Sequence, residues 1–573
     1  MCRHRVADAS DQCTGPGLLP CDRGARTGKG AALTAGDPIG DQRMTVDRIY
    51  DVDRWVELPL GDLFRAGLAL DAGKRAIADR KVSYSFEDLE NLANGYASYL
   101  ARQCNVRPQD RVLVICRKVC QVPALAVALW KLGAVYMPVD AELPAARLSA
   151  IIKTAAPKVI VTFDQVDNLG AFVVNLSELP ESGDWDHIAP YRHRGDEIAY
   201  VIHTSGSTGI PKGVQITVGN LRTYFCAHNE MLRFTSDSRV ISFTPFHFDV
   251  SIEDTLMPLS LGAFVYQYNG PPIGELMRRT LGQERITHLI AVSTVLTVIS
   301  DRPELITSES FPELEMVMTG AEVCAPSVIN LWASRLPRAR VYNVYGPTEV
   351  TIVCLGYLIA SPEEGRTTPY PIGEPLRGVE VILLDENGGE ITTPDETGEL
   401  CLGGEQVMAG YLASPEETAQ KLFERGGVRY YRSGDRCKCD ADGNYHFVGR
   451  VDAEIKLNGR RINLAEIEAE CLAVTTVARA AVGLIKTPGG RQVIGAVLVA
   501  DEPTAVEEVR QRLATQLPTY MIPYLWGVAS EIRLGRSGKT DSRLLLSALE
   551  KQAGYSGSTT VIDITLGDND DVR

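Results

Sequence analysis

Between residues 110 and 217, short β-branched runs alternate with longer runs of helical period, and this alternation is the strongest constraint on the fold. "DRVLVIC" (110–116), "KVIVTF" (158–163) and "EIAYVIHT" (197–204) read as strands, and "VPALAVALWKLG" (122–133) as a buried helix. Alternating strands and helices build layers, so the body of the chain is expected to be α/β. Near residue 450 the texture changes. "GRVDAEIKLNGRRINLAEIEAECLA" (449–473) reads as a turn, a short strand, a second turn and a helix. "ARAAVGLIK" (478–486), "RQVIGAVLVA" (491–500) and "AVEEVRQRLATQL" (505–517) add two strands and a helix. The organisation expected is a disordered extension over 1–43, a large layered α/β domain over 44–451, a small mobile α+β domain over 452–550 and an acidic tail over 551–573.

Size and charge narrow the function. A chain of 573 residues, 45% hydrophobic, can bury a large core and divide into domains. Its net charge of −15 argues against nucleic-acid binding, which rests on lysine and arginine neutralising phosphates. The 13 cysteines are odd in number and irregularly spaced, which suits a cytoplasmic protein with reduced thiols. No signal-peptide run precedes residue 44, and the longest apolar stretch, 122–130, stops at Lys131, far short of a membrane span. In "CKCDADGNYHF" (437–447), Cys437, Cys439 and His446 lack the second ligand pair of a zinc site, and the alternation around "DADGN" predicts a hairpin instead.

One loop concentrates chemistry. "HTSGSTGIPKG" (203–213) holds three glycines, four hydroxyl residues and a lysine. Bare backbone N–H groups and hydroxyls form an anion-binding concavity, to which a lysine adds charge. A Walker A loop would need a second glycine at Pro211 and a hydroxyl residue at Gly213, and would run into a helix, whereas "KGVQIT" alternates like a strand. A helix is expected to follow over 218–234.

This loop resembles the phosphate-binding signature of the adenylate-forming enzymes, the superfamily of acyl-CoA synthetases, luciferases and nonribosomal peptide synthetase adenylation domains. Further motifs follow in that superfamily's order: "KLGAVYMPVD" (131–140), "FHFDVSIED" (246–254), "NVYGPTE" (343–349), "GELCLGGEQVMAGY" (398–411), "YRSGD" (431–435), "GRVDAEIKLNGRRI" (449–462), "LPTYMIP" (517–523) and "GRSGKTD" (535–541).

The resemblance implies ATP and Mg²⁺ as cofactors and assigns roles. Thr204, Ser205, Ser207, Thr208 and Lys212 would surround the β- and γ-phosphates. Thr348 would contact the α-phosphate, and Glu349 would help hold Mg²⁺, a hard cation suited to oxygen ligands. Asn343 and Tyr345 would meet adenine, with Phe447 near its other edge, and Asp435 and Arg450 would meet the ribose. Lys539 would bridge the substrate carboxylate and α-phosphate, then leave with its domain about the hinge Asp452, while the loop of Lys456 turns inward for attack by a thiol.

For the acid, the resemblance makes Asp249 the partner of an α-ammonium, which favours an amino acid over an aryl acid. The alternative is an aspartate capping a helix that starts near Ser251. The side-chain pocket would comprise Asp249, Val250, Glu253, Ile290, Met318, Gly320, Val344, Ile352 and Val353. Glu253 is out of place there, since a carboxylate among apolar groups needs a partner. No carrier-like serine segment follows Asp541, so a free-standing ligase loading a separate phosphopantetheinyl carrier protein is expected, with secondary metabolism as its setting. A coenzyme A ligase and a silent adenylate-binding regulator are the alternatives.

Overall fold

The computed structural model describes residues 55, 58–164, 172–179, 187–205, 211–451, 454–487, 490–500, 504–529, 542–553 and 561–564. Ser207, Thr208, Asp452 and Lys539, together with the extension over 1–43, lie outside the described residues.

Two predominantly parallel sheets carry the first part of the chain. The seven-stranded sheet centres on Val135–Asp140, flanked by Arg111–Cys116 and Ile198–Thr204. The nine-stranded sheet places His288–Val292, Met316–Gly320 and Arg340–Tyr345 side by side in parallel. A six-stranded antiparallel sheet, with Thr397–Gly404 and Val428–Cys439 at its centre, completes the body. One apolar core unites all three sheets through the helices Phe86–Gln103, Val122–Lys131 and Val218–Leu232. The α/β class expected from the alternation is the one observed.

Local chemistry accounts for where these helices begin. Ser85 Oγ accepts the Asp88 N–H while Asp88 Oδ2 accepts the Ser85 N–H, and Thr217 and Asn220 repeat this reciprocal cap. Val122–Lys131 is buried along its whole length. Lys131, the charge that ends the apolar run in the sequence, is itself buried, with its Nζ 2.6 Å from Glu90 Oε1.

The glycine-rich loop connects two antiparallel strands, with Thr204 opposite Lys212 and His203 opposite Gly213. A Cβ at Gly213 would fall 2.8 Å from Val201 Cγ1, so glycine lets the strands close beneath the loop. The hairpin context, unlike a strand-to-helix turn, separates this loop from a Walker A loop. The cysteine segment is likewise a hairpin: Val428–Cys439 pairs with Tyr445–Arg450, and His446 Nε2 lies 2.7 Å from Asp440 Oδ2. No metal-binding cluster of three ligands occurs among the described residues.

From residue 454 a hairpin, Glu454–Leu457 with Arg460–Asn463, leads into the helix Leu464–Leu472 and a four-stranded sheet that has a core on each face. This layer is tied to the body by a buried ion pair in which Arg147 Nη1 donates to Glu466 Oε1 at 2.6 Å. Removing one partner of such a pair strands the other charge, at about 3–5 kcal/mol. Arg147→Ala is therefore expected to loosen the C-terminal layer without unfolding the body. Hydrogen exchange should rise in Leu464–Leu472 while Arg111–Cys116 stays protected.

Candidate active site

A cavity of about 360 Å³ opens at the carboxyl ends of the parallel strands, where open α/β sheets hold their ligands. Three neighbouring strands build one wall, with Ile290 directly opposite Met318 and with Gly320 and Val344 at the strand ends. A Cβ at Gly320 would lie 2.6 Å from the Val344 carbonyl oxygen, so glycine sets the depth of this wall. Ile352 and Val353 close it from the turn after Thr348–Val350. Thr351 and Ile352 hold φ of 53° and 73°, a left-handed conformation that is strained for β-branched side chains.

Asp249, Val250 and Glu253 form the opposite side. All nine residues expected in the side-chain pocket thus face one cavity. Ser251 precedes the wide helical turn Ile252–Leu256, and no side-chain cap is made there. Asp249 directly precedes the first helical residue, Val250, whose N–H its Oδ1 accepts at 2.9 Å, while the Thr348 hydroxyl donates to the same carboxylate. Burial raises its pKa, and these two donors oppose the rise.

Thr204, Ser205, Thr348, Asp435, Arg450 and Lys456 line the same cavity. Asp435 and Arg450 are cross-strand partners and form a buried ion pair, while the Tyr345 hydroxyl donates to the same carboxylate. Tyr345 itself is buried, and Lys456 Nζ lies 4.6 Å from its ring centroid. Asn343 turns its amide to the Pro371 carbonyl at 2.7 Å. Phe447 packs beside the body core opposite Cys437, outside the cavity lining. Lys212 also stands outside it, 3.0 Å from Glu417 Oε1 and above the Tyr411 ring.

The residue that organises this end of the site is Arg461. Its Nη1 donates to both Glu349 oxygens at 3.0 and 3.1 Å, its Nε donates to Glu454, and its carbonyl accepts the Ser205 hydroxyl at 2.9 Å. Glu454 in turn accepts Arg450 Nη2 at 2.7 Å. Glu349 is 1% exposed and also accepts the Tyr411 hydroxyl at 2.8 Å. Burial pushes its carboxyl up, but Arg461 and Tyr411 more than offset this and hold it below the ordinary carboxylate range. Both Glu349 oxygens are taken up by Arg461 and Tyr411 and the residue does not line the cavity, so a hard cation such as Mg²⁺, which needs a free carboxylate oxygen, would reach it only once Arg461 lets go. Motif reading included Arg461 in "GRVDAEIKLNGRRI" but gave it no role, because its partner lies 112 residues away.

Arg461→Ala would leave Glu349 and Glu454 without their shared guanidinium. It is expected to free the hairpin Glu454–Asn463, with faster hydrogen exchange across 454–463. Arg461→Lys should not restore protection, because an ammonium lacks the planar fork that reaches both carboxylates.

Comparison with known proteins places this geometry. Residues 64–412 match the AMP-binding enzyme family. Delta-poly-L-ornithine synthetase of Acinetobacter baumannii is 30% identical over 507 residues, which cover 85% of this chain and 36% of that protein. The chain therefore spans about a third of the length of that curated relative. An NRPS protein containing adenylation and PCP domains has the same fold, with a TM-score of 0.75 at 24% identity over 87% of this chain and 85% of that one. The o-succinylbenzoate CoA synthetase of Bacillus subtilis aligns with a TM-score of 0.74 at 20% identity, over 85% of this chain and 98% of that one. With the motifs in order and the cavity they line, this chain belongs to the AMP-binding enzyme family of adenylate-forming ligases.

Proposed function

We propose that the chain activates an amino acid with ATP as an aminoacyl adenylate and then passes the aminoacyl group to the phosphopantetheine thiol of a carrier protein. The observation that carries this is Asp249. It is a carboxylate 9% exposed at the inner end of the cavity, with neutral donors but no cation, facing the same space as Thr348, Asp435 and Arg450. An α-ammonium supplies the missing charge, and the substrate carboxylate then points towards the Thr348 end.

In the first step a carboxylate oxygen of the amino acid bonds to the α-phosphorus of ATP, and the bond to pyrophosphate breaks. Negative charge gathers on the phosphates, so donors placed in advance lower the barrier. Thr204, Ser205 and Thr348 would supply such donors from the described residues, Ser205 and Thr348 by turning from Arg461 and Asp249 to the phosphates; Ser207, Thr208, Lys212 and Lys539 join them by resemblance. Asp435 suits a ribose diol as acceptor, and Arg450 orients it. Asn343, Tyr345 and Phe447 are assigned to adenine. Mg²⁺ bound beside Glu349 would neutralise part of the phosphate charge.

In the second step the thiol sulfur bonds to the acyl carbon, AMP leaves, and the thiol proton passes to solvent. The seat of the Lys456 hairpin in the cavity suits this step, since Arg461 there holds the Glu349 carboxylate. A small C-terminal domain that turns about Asp452 between the two steps would bring Lys539 and Lys456 to the site in turn.

The test separates the steps. Lys539→Ala should lower amino-acid-dependent ATP–pyrophosphate exchange by about 10²- to 10³-fold, the effect of losing one transition-state donor, and spare transfer from preformed adenylate. Asp249→Ala should raise KM for the amino acid, at a cost of about 2–5 kcal/mol, and leave KM for ATP nearly unchanged. Exchange supported by acids lacking an amino group, with coenzyme A as the better acceptor, would instead establish a CoA ligase.

A further inference from the structure

Two adjacent acidic residues on one buried turn are treated very differently by the protein. Asp254 is satisfied from within: Ser242 Oγ and Thr255 Oγ1 donate to its Oδ1 at 2.9 and 2.8 Å, and the Thr244 N–H lies 3.3 Å from its Oδ2. Glu253 is 0% exposed and lines the cavity, and its oxygens have the Tyr224 hydroxyl as a neighbouring donor but no partner in full hydrogen-bond geometry among the described residues. Its neighbours are Tyr224 and His228, whose Oη and Nδ1 lie 2.5 Å apart. Whichever tautomer His228 adopts, that couple can spare at most one neutral proton for the two oxygens.

Nor does the protein supply a countercharge. His228 is the one basic group within 4 Å among the described residues, with Nδ1 3.6 Å from Glu253 Oε1. Burial lowers the His228 pKa to about 3, so it is neutral at physiological pH. The facing wall of Ile290, Met318, Val344 and Val353 is apolar. Burying a carboxylate in such a place without a cation is costly, and cavities keep such groups where a ligand completes them.

We infer that the amino acid taken by this site carries a second ammonium group on its side chain, which pairs with Glu253 while the α-ammonium pairs with Asp249. This rests on the amino-acid adenylation proposed above and names its substrate class: a diamino acid. Two carboxylates then meet two ammoniums, and the apolar wall covers the methylenes between them. An apolar or neutral polar side chain would leave Glu253 without a cation, and burial, which raises its pKa, would then keep it protonated, whereas a side-chain ammonium favours the carboxylate. Binding that rejects a substrate by leaving a site group unpaired discriminates far more strongly than binding that merely loses a contact.

The experiment uses the full chain and ATP–pyrophosphate exchange. The panel holds lysine, ornithine and 2,4-diaminobutyrate; norleucine, methionine and citrulline as neutral counterparts; arginine as a guanidinium; and a set of aryl and acyl acids. At least one diamino acid is expected to exceed its neutral counterparts by on the order of 10²- to 10³-fold in kcat/KM. Glu253→Gln should collapse that ratio, through a higher KM for the diamino acid, with the melting temperature retained. A wild-type preference for neutral amino acids, or for arginine over every diamino acid, overturns the inference while amino-acid adenylation stands. Exchange with aryl or acyl acids alone overturns adenylation of amino acids itself. The wild-type ranking decides between these outcomes even if Glu253→Gln does not fold. An unchanged ranking in folded Glu253→Gln would assign the carboxylate a purely structural role.

Discussion

The arrangement of the site depends on a chain of buried charges that alternate in sign. Tyr345 donates to Asp435, Asp435 pairs with Arg450, Arg450 with Glu454, Glu454 with Arg461, and Arg461 with Glu349, which ends on the Tyr411 hydroxyl. Such a chain contributes little net stability compared with apolar packing, yet cutting it anywhere leaves an uncompensated charge in a low-dielectric space. It therefore specifies position more than it adds strength. The hairpin of Lys456 carries Arg461 already paired with Glu454 of its own first strand, and it sits where that guanidinium also reaches Glu349.

The cavity holds both donors and carboxylates. Hydroxyls from Thr204 and Ser205 and the Asp435–Arg450 pair contribute donors, Asp249 and Glu253 contribute carboxylates, and Thr348 joins the two sets by donating to Asp249. Between them the walls are apolar, which strengthens every electrostatic interaction inside. A ligand in this space meets both donors for an anion and acceptors for cations. This combination suits a zwitterion brought up to a nucleotide.

Backbone geometry sets these groups in place. Parallel strands set Ile290 beside Met318 and Met318 beside Tyr342, with Val344 two residues further along the last strand, and their pairing admits no one-residue slip without turning every side chain to the other face. At Gly346 the chain doubles back so closely that a Cβ would meet the Ile352 carbonyl oxygen at 2.0 Å. The strained φ of Ile352 is the local consequence of this return. The "YGPTE" segment thereby brings Thr348 next to Asp249 while Glu349 points to Arg461.

Much of this was legible in the residues alone. Periodicity marked the strands Arg111–Cys116 and Ile198–Thr204 and the helices Val122–Lys131 and Leu464–Leu472. The order of the motifs marked the family, and the resemblance it carries implied the nine pocket positions. These features are local: side-chain period, turn residues and fixed offsets survive in one dimension. What only the tertiary structure decided was the set of partners. Lys131 reads as the end of an apolar run until Glu90, on another helix, takes its charge. Asp249 reads as a ligand or as a cap in the sequence, and only the fold brings its carboxylate to Thr348 and the cavity as well as to the first N–H of the helix that follows. Arg461 has no evident task until Glu349 arrives from 112 residues away, and Arg147 none until Glu466 arrives from 319. Glu253 differs from Asp254 in no way that sequence conveys; one is satisfied by Ser242 and Thr255, the other left open to the cavity. Whether a charge is paired depends on which segments the fold packs together, and burial makes that pairing decisive, because water no longer offers a substitute.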